Sequence, residues 1–419
     1  MNDENLVRLN SLDLSVFFFL HFAVAVFIIA MGSVVPFELN IAGWSSVAIA
    51  ILFGFITLME LGRIAFAQLV DRKGLQYSAP VYLSGITLLT IGCAMLTLNQ
   101  IRGQFLVLIS LFAASLGAAI VTTTIDGLFA KLSRGKDLQL SMLLQGGRLL
   151  GFAVGGITIA AFFEHGGSQL IFLLITMITF VVAVFGALSI VRLVIRLSQD
   201  LKRTSATIHQ PILNRGLGMT SRRDLWLFML FFAFYGIGFF AQDSVLEVFG
   251  REELSFGRAE IGRITGVWGT ATLAGVLLGG YLLRMSSDKP IVLVNSVIAA
   301  AGITLLALIP LVKNIEPFIL VMIAVFLLGF GGGAVSTPAI ARLIRYSRKS
   351  PYPLTIMGLF GIAATLVRSG ASFLAAVILS LFTFEMLFLF EAACLLVAIV
   401  PYIVSTTIDW TPTKSNSPY

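Results

Sequence analysis

Three polar residues close a strongly apolar run. Gln242, Asp243 and Glu247 follow LWLFMLFFAFYGIGFF, with no Lys or Arg before Arg251. Asp243 and Glu247 are four apart and share a face if the helix continues. Two carboxylates that close disfavour joint ionisation, so the pair suits proton exchange or ligation of a bound group. The alternative is a helix end in the headgroup region, with the pair held by Arg251 or Arg258. Glu60, Arg63, Asp126, Arg148, Arg368 and Glu391 also fall within apolar runs. Ionisable residues there are costly and mark functional positions by default. Glu60 and Arg63, three apart, can pair on one helix face. Asp126 and Arg148 can pair across a short loop. Arg368 lies mid-run, where an isolated cation needs a central cavity or a carboxylate. Glu391 reads as a packing or interface residue.

The elements that position these residues follow from composition. The 419 residues are 58% hydrophobic and 12% charged, with mean hydropathy +0.98. Soluble domains average about 25% charged residues, so the expectation is a multi-pass integral membrane protein. Cys93 and Cys394 sit in apolar runs and offer neither metal spacing nor a disulfide framework. The three histidines are scattered, and no metal site is expected. His21, inside the first apolar run, is either a hydrogen-bonded packing residue or an axial ligand for a metal-bearing tetrapyrrole. Gln242 or Glu247 could supply an axial oxygen instead. The net charge of +7 reads as Lys and Arg on cytoplasmic loops rather than as nucleic-acid binding. No cleavable signal peptide is expected, because the first run is long enough to span and lacks a basic leader.

A span needs about 20 mostly apolar residues. That ruler places about twelve helices near residues 14–35, 46–69, 78–98, 104–129, 141–163, 168–191, 225–249, 259–283, 291–312, 317–341, 354–381 and 384–406. One set of loops carries about 20 Lys and Arg, Arg342 among them, and the other about 5. The positive-inside rule then puts both termini in the cytoplasm. The one long polar stretch, near 192–224, divides the chain into a first half at 1–195, a linker at 196–224 and a second half at 225–419. The halves repeat: Gly117 falls on Gly331, Val121 on Val335, Thr123 on Thr337, and the same shift sets Glu38 on Glu252. Two parallel six-helix halves resemble the major facilitator fold, with its site near the midplane between them. RIAFAQLVDRKG resembles the facilitator signature G-x-x-x-D-R-x-G: Asp71, Arg72 and Gly74 match, and Ala67 replaces the first Gly. That resemblance implies a gating or structural role for this segment, with Arg63, Asp126 and Arg148 beside it.

The segment FAQDSVLEVFGREELSFGRAEIGRITGVWGTATLAGVLLGG resembles helices seven and eight of the PucC/LhaA-type proteins, the bacteriochlorophyll delivery branch of that superfamily. Gln242, Asp243, Leu246, Glu247, Phe249 and Gly250 fill its first pattern; Thr265, Trp268 and Gly269 fill its second. Arg63 stands eight residues before Asp71 as in that branch, although Gly62 replaces a Phe. TTTIDGLFAKL keeps Thr122 and Thr123 and departs at Asp126. The resemblance runs over roughly 35–375. It implies a photosynthetic membrane and help in assembling light-harvesting complexes by binding or delivering (bacterio)chlorophyll-type pigment. Implied partners are membrane lipid, light-harvesting polypeptides and pigment-synthesis proteins, with no permanently bound cofactor. Gln242, Asp243, Glu247, His21 and Arg368 are the candidate ligand-binding residues. A bacterial cytoplasmic or thylakoid-type membrane fits equally.

Two other readings stand beside it: a proton-coupled secondary transporter of a small amphipathic solute, and a non-transporting assembly scaffold. Enzymatic activity is not expected, since no nucleophile–base constellation or nucleotide loop is present.

Overall fold

The computed structural model describes residues 11–73, 77–98, 104–132, 137–205, 222–312, 315–348 and 353–405. All regular structure among them is helical, and twelve segments are long and apolar enough to cross a membrane. The protein is therefore a multi-pass, all-α membrane protein, as composition predicts. The first half holds α1 (Ser11–Ile41), α2 (Ser46–Met59), α3 (Arg63–Lys73), α4 (Ser78–Leu98), α5 (Gln104–Leu132) and α6 (Asp137–Ser205). The second holds α7 (Arg222–Phe240), α8 (Leu246–Glu252), α9 (Arg258–Met285), α10 (Asp288–Leu308), α11 (Pro317–Arg348), α12 (Pro353–Leu381) and α13 (Phe384–Val404).

Four departures from the expected spans have physical causes. α6 contains two spans joined without a loop, turning at Gly167 with φ of +59°, a left-handed conformation that a residue with no Cβ adopts without penalty. α6 also continues through Ser205, so the first part of the expected linker is helical. Its sequence LVIRLSQDLKRTS has neither Gly nor Pro to stop a helix. Residues 206–221 lie outside the described residues. Finally, the seventh span is not one helix. It breaks after Phe240 into a short 3₁₀ turn, Ala241–Ser244, and resumes as α8. Gly236 and Gly238 weaken the helix just before the break, and Asp243 and Ser244 have short side chains that favour turns. Irregular backbone at membrane depth is tolerated where it lines a cavity. The second span is interrupted in the same way by a 3₁₀ turn at Glu60–Gly62.

The halves meet chiefly along two seams, α6 against α9 and α2 against α12. The first seam is built on glycine. Cβ atoms added at Gly262 and Gly269 would lie 2.6 Å from Ala160 Cα and Phe152 O, and one at Gly156 would lie 2.7 Å from Thr265 O. Lipid tails are as apolar as these side chains, so association depends on close backbone approach between small residues. Large side chains such as Phe180, Phe185 and Leu188 are exposed on the outside and suit acyl chains. Gly262→Val is expected to wedge this seam open and cost about 1–3 kcal/mol. Thermal unfolding in mild detergent checks it; an unchanged midpoint would mean that the seam is more compliant than its backbone contacts indicate.

Candidate functional site

A central cavity of about 240 Å³ lies between the halves. Its polar groups come from broken or mid-span segments. Gln242, Asp243 and Glu247 enter from the interrupted seventh span, Arg148 from α6 and Arg368 from α12. The helix break changes how the expected carboxylate face forms, yet both carboxylates still reach the same cavity. Arg368 Nη2 lies 3.3 Å from Asp243 Oδ2, so the lone mid-span cation has both the cavity and the carboxylate that it needs. Its guanidinium also lies 5.7 Å from the centroid of Phe240, within cation–π range.

Glu247 and Gln242 are buried, at 7% and 2% exposure, and Glu247 Oε2 and Gln242 Oε1 have no hydrogen-bond partner. Gln242 Nε2 donates to Phe239 O at 3.3 Å. Buried polar atoms are almost always satisfied, so two orphan acceptors in one cavity need explaining. Arg148 has no ion-pair or hydrogen-bond partner among the described residues. Its guanidinium sits 5.6 Å from the Phe152 ring. The rest of the wall is aromatic: Phe231 stacks on Tyr235 at 5.4 Å and Tyr235 on Phe239 at 5.7 Å, while Phe239 and Phe152 lie 6.2 and 5.5 Å from Trp268. Tyr235 Oη donates to Gly332 O at 3.1 Å, satisfying the one phenol in the row.

Several sequence expectations need correction. His21 does not join the cavity: its Nε2 lies 3.1 Å from Asp126 Oδ1, which leaves it badly placed as a ligand for anything bound there. Asp126 therefore faces His21 rather than Arg148, because α1 and α5 bring those two side chains together while Arg148 turns to the cavity. Arg251 and Arg258 do not hold Asp243 or Glu247. Arg251 Nη1 donates to Asn40 Oδ1 at 2.8 Å, and Arg258 Nε donates to Glu38 Oε1 at 2.9 Å. Asn40 Nδ2 also donates to Glu252 Oε1 at 2.8 Å. These contacts tie the end of α1 to α8 and α9, and so join the halves at the end of the bundle remote from both termini. No motif marked this cluster in the sequence; the equivalence of Glu38 and Glu252 in the repeat was its one trace.

Glu60 and Arg63 pair as expected, at 3.3 Å. Arg63 also donates across the halves to Gly361 O and Thr365 Oγ1 on α12. Asp71 and Arg72 lie in the last turn of α3; their side chains, and Gly74, fall outside the described residues. Glu391 is fully buried on α13 against α7, with its backbone carbonyl 2.6 Å from where a Gly238 Cβ would sit. Arg342 is no loop charge. It is completely buried in α11 and paired with Asp288 of α10.

Twelve spans, two packed halves and a polar, aromatic cavity between them define a carrier-type membrane protein. The Major Facilitator Superfamily matches residues 17–350, and the chain belongs to that family. Among solved structures, it is similar to a POT family transporter in complex with a thioalcohol-conjugated peptide, with TM-score 0.70 and 16% identity over 93% of this chain and 95% of that one. It is similar to a POT family transporter in complex with 5-aminolevulinic acid, at 0.69 and 16% over 93% and 95%. The human organic anion transporter MFSD10 (TETRAN) aligns at 0.65 and 15% over 93% and 98%. At these identities the likeness concerns the fold. No curated protein matches the sequence.

Proposed function

We propose that this protein is a transporter rather than an enzyme: a proton-coupled secondary carrier that binds a small amphipathic solute in the central cavity. The observation that carries this reading is the cavity itself, where an aromatic wall meets two cations, one paired carboxylate and one carboxyl oxygen with no partner. A volume of about 240 Å³ lies below the roughly 300–1,000 Å³ of drug-sized sites, which favours a solute of amino-acid size. Glu247 carries the coupled proton, and Asp243 and Arg368 form the adjoining ion pair. The distribution of loop charge supports both termini lying in the cytoplasm. The test is substrate-driven proton entry into proteoliposomes holding a pH-sensitive dye, over a panel of small amphipathic acids, amines and zwitterions. One class should acidify the lumen. Silence across the panel would remove the carrier reading.

A second reading, pigment delivery to light-harvesting polypeptides in a photosynthetic membrane, has one specific observation in its favour. Gln242 and Glu247, from the segment that resembles the PucC/LhaA branch, line the cavity and each has a buried oxygen with no partner, which a side-chain rotation would turn toward a magnesium. The cavity would have to widen to admit a tetrapyrrole. Its test is an absorption spectrum of protein purified from a pigment-making host, beside the Gln242→Ala/Glu247→Ala variant. A chlorophyll band lost in a folded variant would favour pigment over solute; a colourless wild-type protein would remove this reading.

A further inference from the structure

The charged groups lining the cavity are not all paired with one another, and the unpaired ones point to a class of solute. Arg368 is satisfied by Asp243 at 3.3 Å. Arg148 lines the same cavity and has no carboxylate or hydrogen-bond acceptor on it among the described residues. Asp126, the partner that the sequence offered, faces His21 instead. A guanidinium held in an apolar, ring-lined cavity is costly to leave unpaired, and a planar fork of donors matches a carboxylate bidentately. The same cavity is lined by Gln242 and Glu247, whose buried Oε1 and Oε2 are acceptors with no donor. Between the two stands the row of rings through Phe239, Trp268 and Phe152.

We infer that the solute is a small amphipathic acid that also carries a hydrogen-bond donor, an amino acid-like zwitterion being the simplest case. Its carboxylate sits on Arg148, its ammonium or hydroxyl donor sits on Gln242 and Glu247, and its apolar body lies against Phe152 and Trp268. This rests on the carrier reading and narrows its substrate class. The arrangement uses the orphan atoms on both sides at once. It also explains why a second arginine is present when one already neutralises Asp243.

The experiment is a binding ladder on the full-length protein in mild detergent, read by calorimetry, with three probes that share one aromatic body. L-phenylalanine has both charges, 3-phenylpropanoate lacks the ammonium, and L-phenylalaninamide lacks the carboxylate. Phenylalanine should bind most tightly. The amide should bind at least about tenfold more weakly, as expected for loss of a charge-assisted hydrogen bond. Arg148→Gln should abolish the difference between acid and amide, and Arg148→Lys should restore part of it. The ladder is read first on the wild-type protein, so a variant that misfolds leaves the central comparison intact. Equal affinity for acid and amide, or no binding of any probe, would overturn the inference. In the proteoliposome panel, proton entry driven by amines alone would keep the carrier and discard the acid.

Discussion

Replacing Arg342 by Met is expected to be among the most destabilising single changes in the second half. Arg342 and Asp288 are both completely buried, at 0% exposure. Arg342 Nη1 donates to Ser405 Oγ at 2.7 Å, and its guanidinium lies 4.3 Å from the centroid of Tyr402. Tyr402 Oη donates to Asp288 Oδ2 at 3.0 Å. One charge pair thus joins α10, α11 and α13. Removing the cation leaves the Asp288 carboxylate buried with, among the described side chains, the Tyr402 phenol beside it, and breaking a buried pair from one side costs about 3–5 kcal/mol. The double variant Arg342→Met/Asp288→Leu removes both charges and should regain most of that loss, because apolar replacement of a whole buried pair is often neutral. Thermal unfolding in detergent compares the two. A single variant no less stable than the double would show that Asp288 tolerates its isolation.

Glu247→Gln is expected to reduce proton-driven solute accumulation to the level of protein-free vesicles while leaving solute counterflow measurable. Glutamine keeps the shape and one acceptor oxygen but cannot exchange a proton at neutral pH. Glu247 is chosen over Asp243 on geometry. Asp243 has Arg368 at 3.3 Å, so a change in its charge breaks an ion pair. Glu247 has one oxygen with no partner, while its carboxyl is hydrogen-bonded to the Ser33 hydroxyl of α1, so a proton can be taken up on the free oxygen with that contact kept. Accumulation unchanged in the variant would move the coupled proton to Asp243 or out of the cavity altogether. Loss of counterflow together with accumulation would show that the solute contact at Glu247 needs the carboxylate itself, and would leave its role in coupling without support.

How far the sequence leads can be judged residue by residue. Span number and the all-α class were legible because a bilayer imposes one strong rule, about 20 apolar residues per crossing, and the described residues obey it twelve times. Arg368 was marked by its isolation, and the Gln242–Glu247 segment by its place at the end of an apolar run. Glu60 and Arg63 were legible because their interaction is local, three residues apart on one helix.

Pairings across helices depended on rotation and tilt, which hydropathy does not encode. Asp126 could face Arg148 or His21 with equal sequence logic; the packing of α1 on α5 and α6 decided for His21. Arg342 lay near a helix end and read as a loop cation, until the length of α11 carried it inside to Asp288. Register in the repeat gave no hint of that pair, since the shift that sets Gly117 on Gly331 sets Leu128 on Arg342. The ties between Glu38, Asn40, Arg251 and Arg258 join residues more than 200 positions apart. By itself the sequence determined a twelve-span, two-half membrane protein with a few buried charges between the halves. Only the tertiary structure decided which of those charges pair with each other and which, like Arg148, have no ion-pair partner among the described residues, because buried charges choose partners by geometry across helices and not by order along the chain.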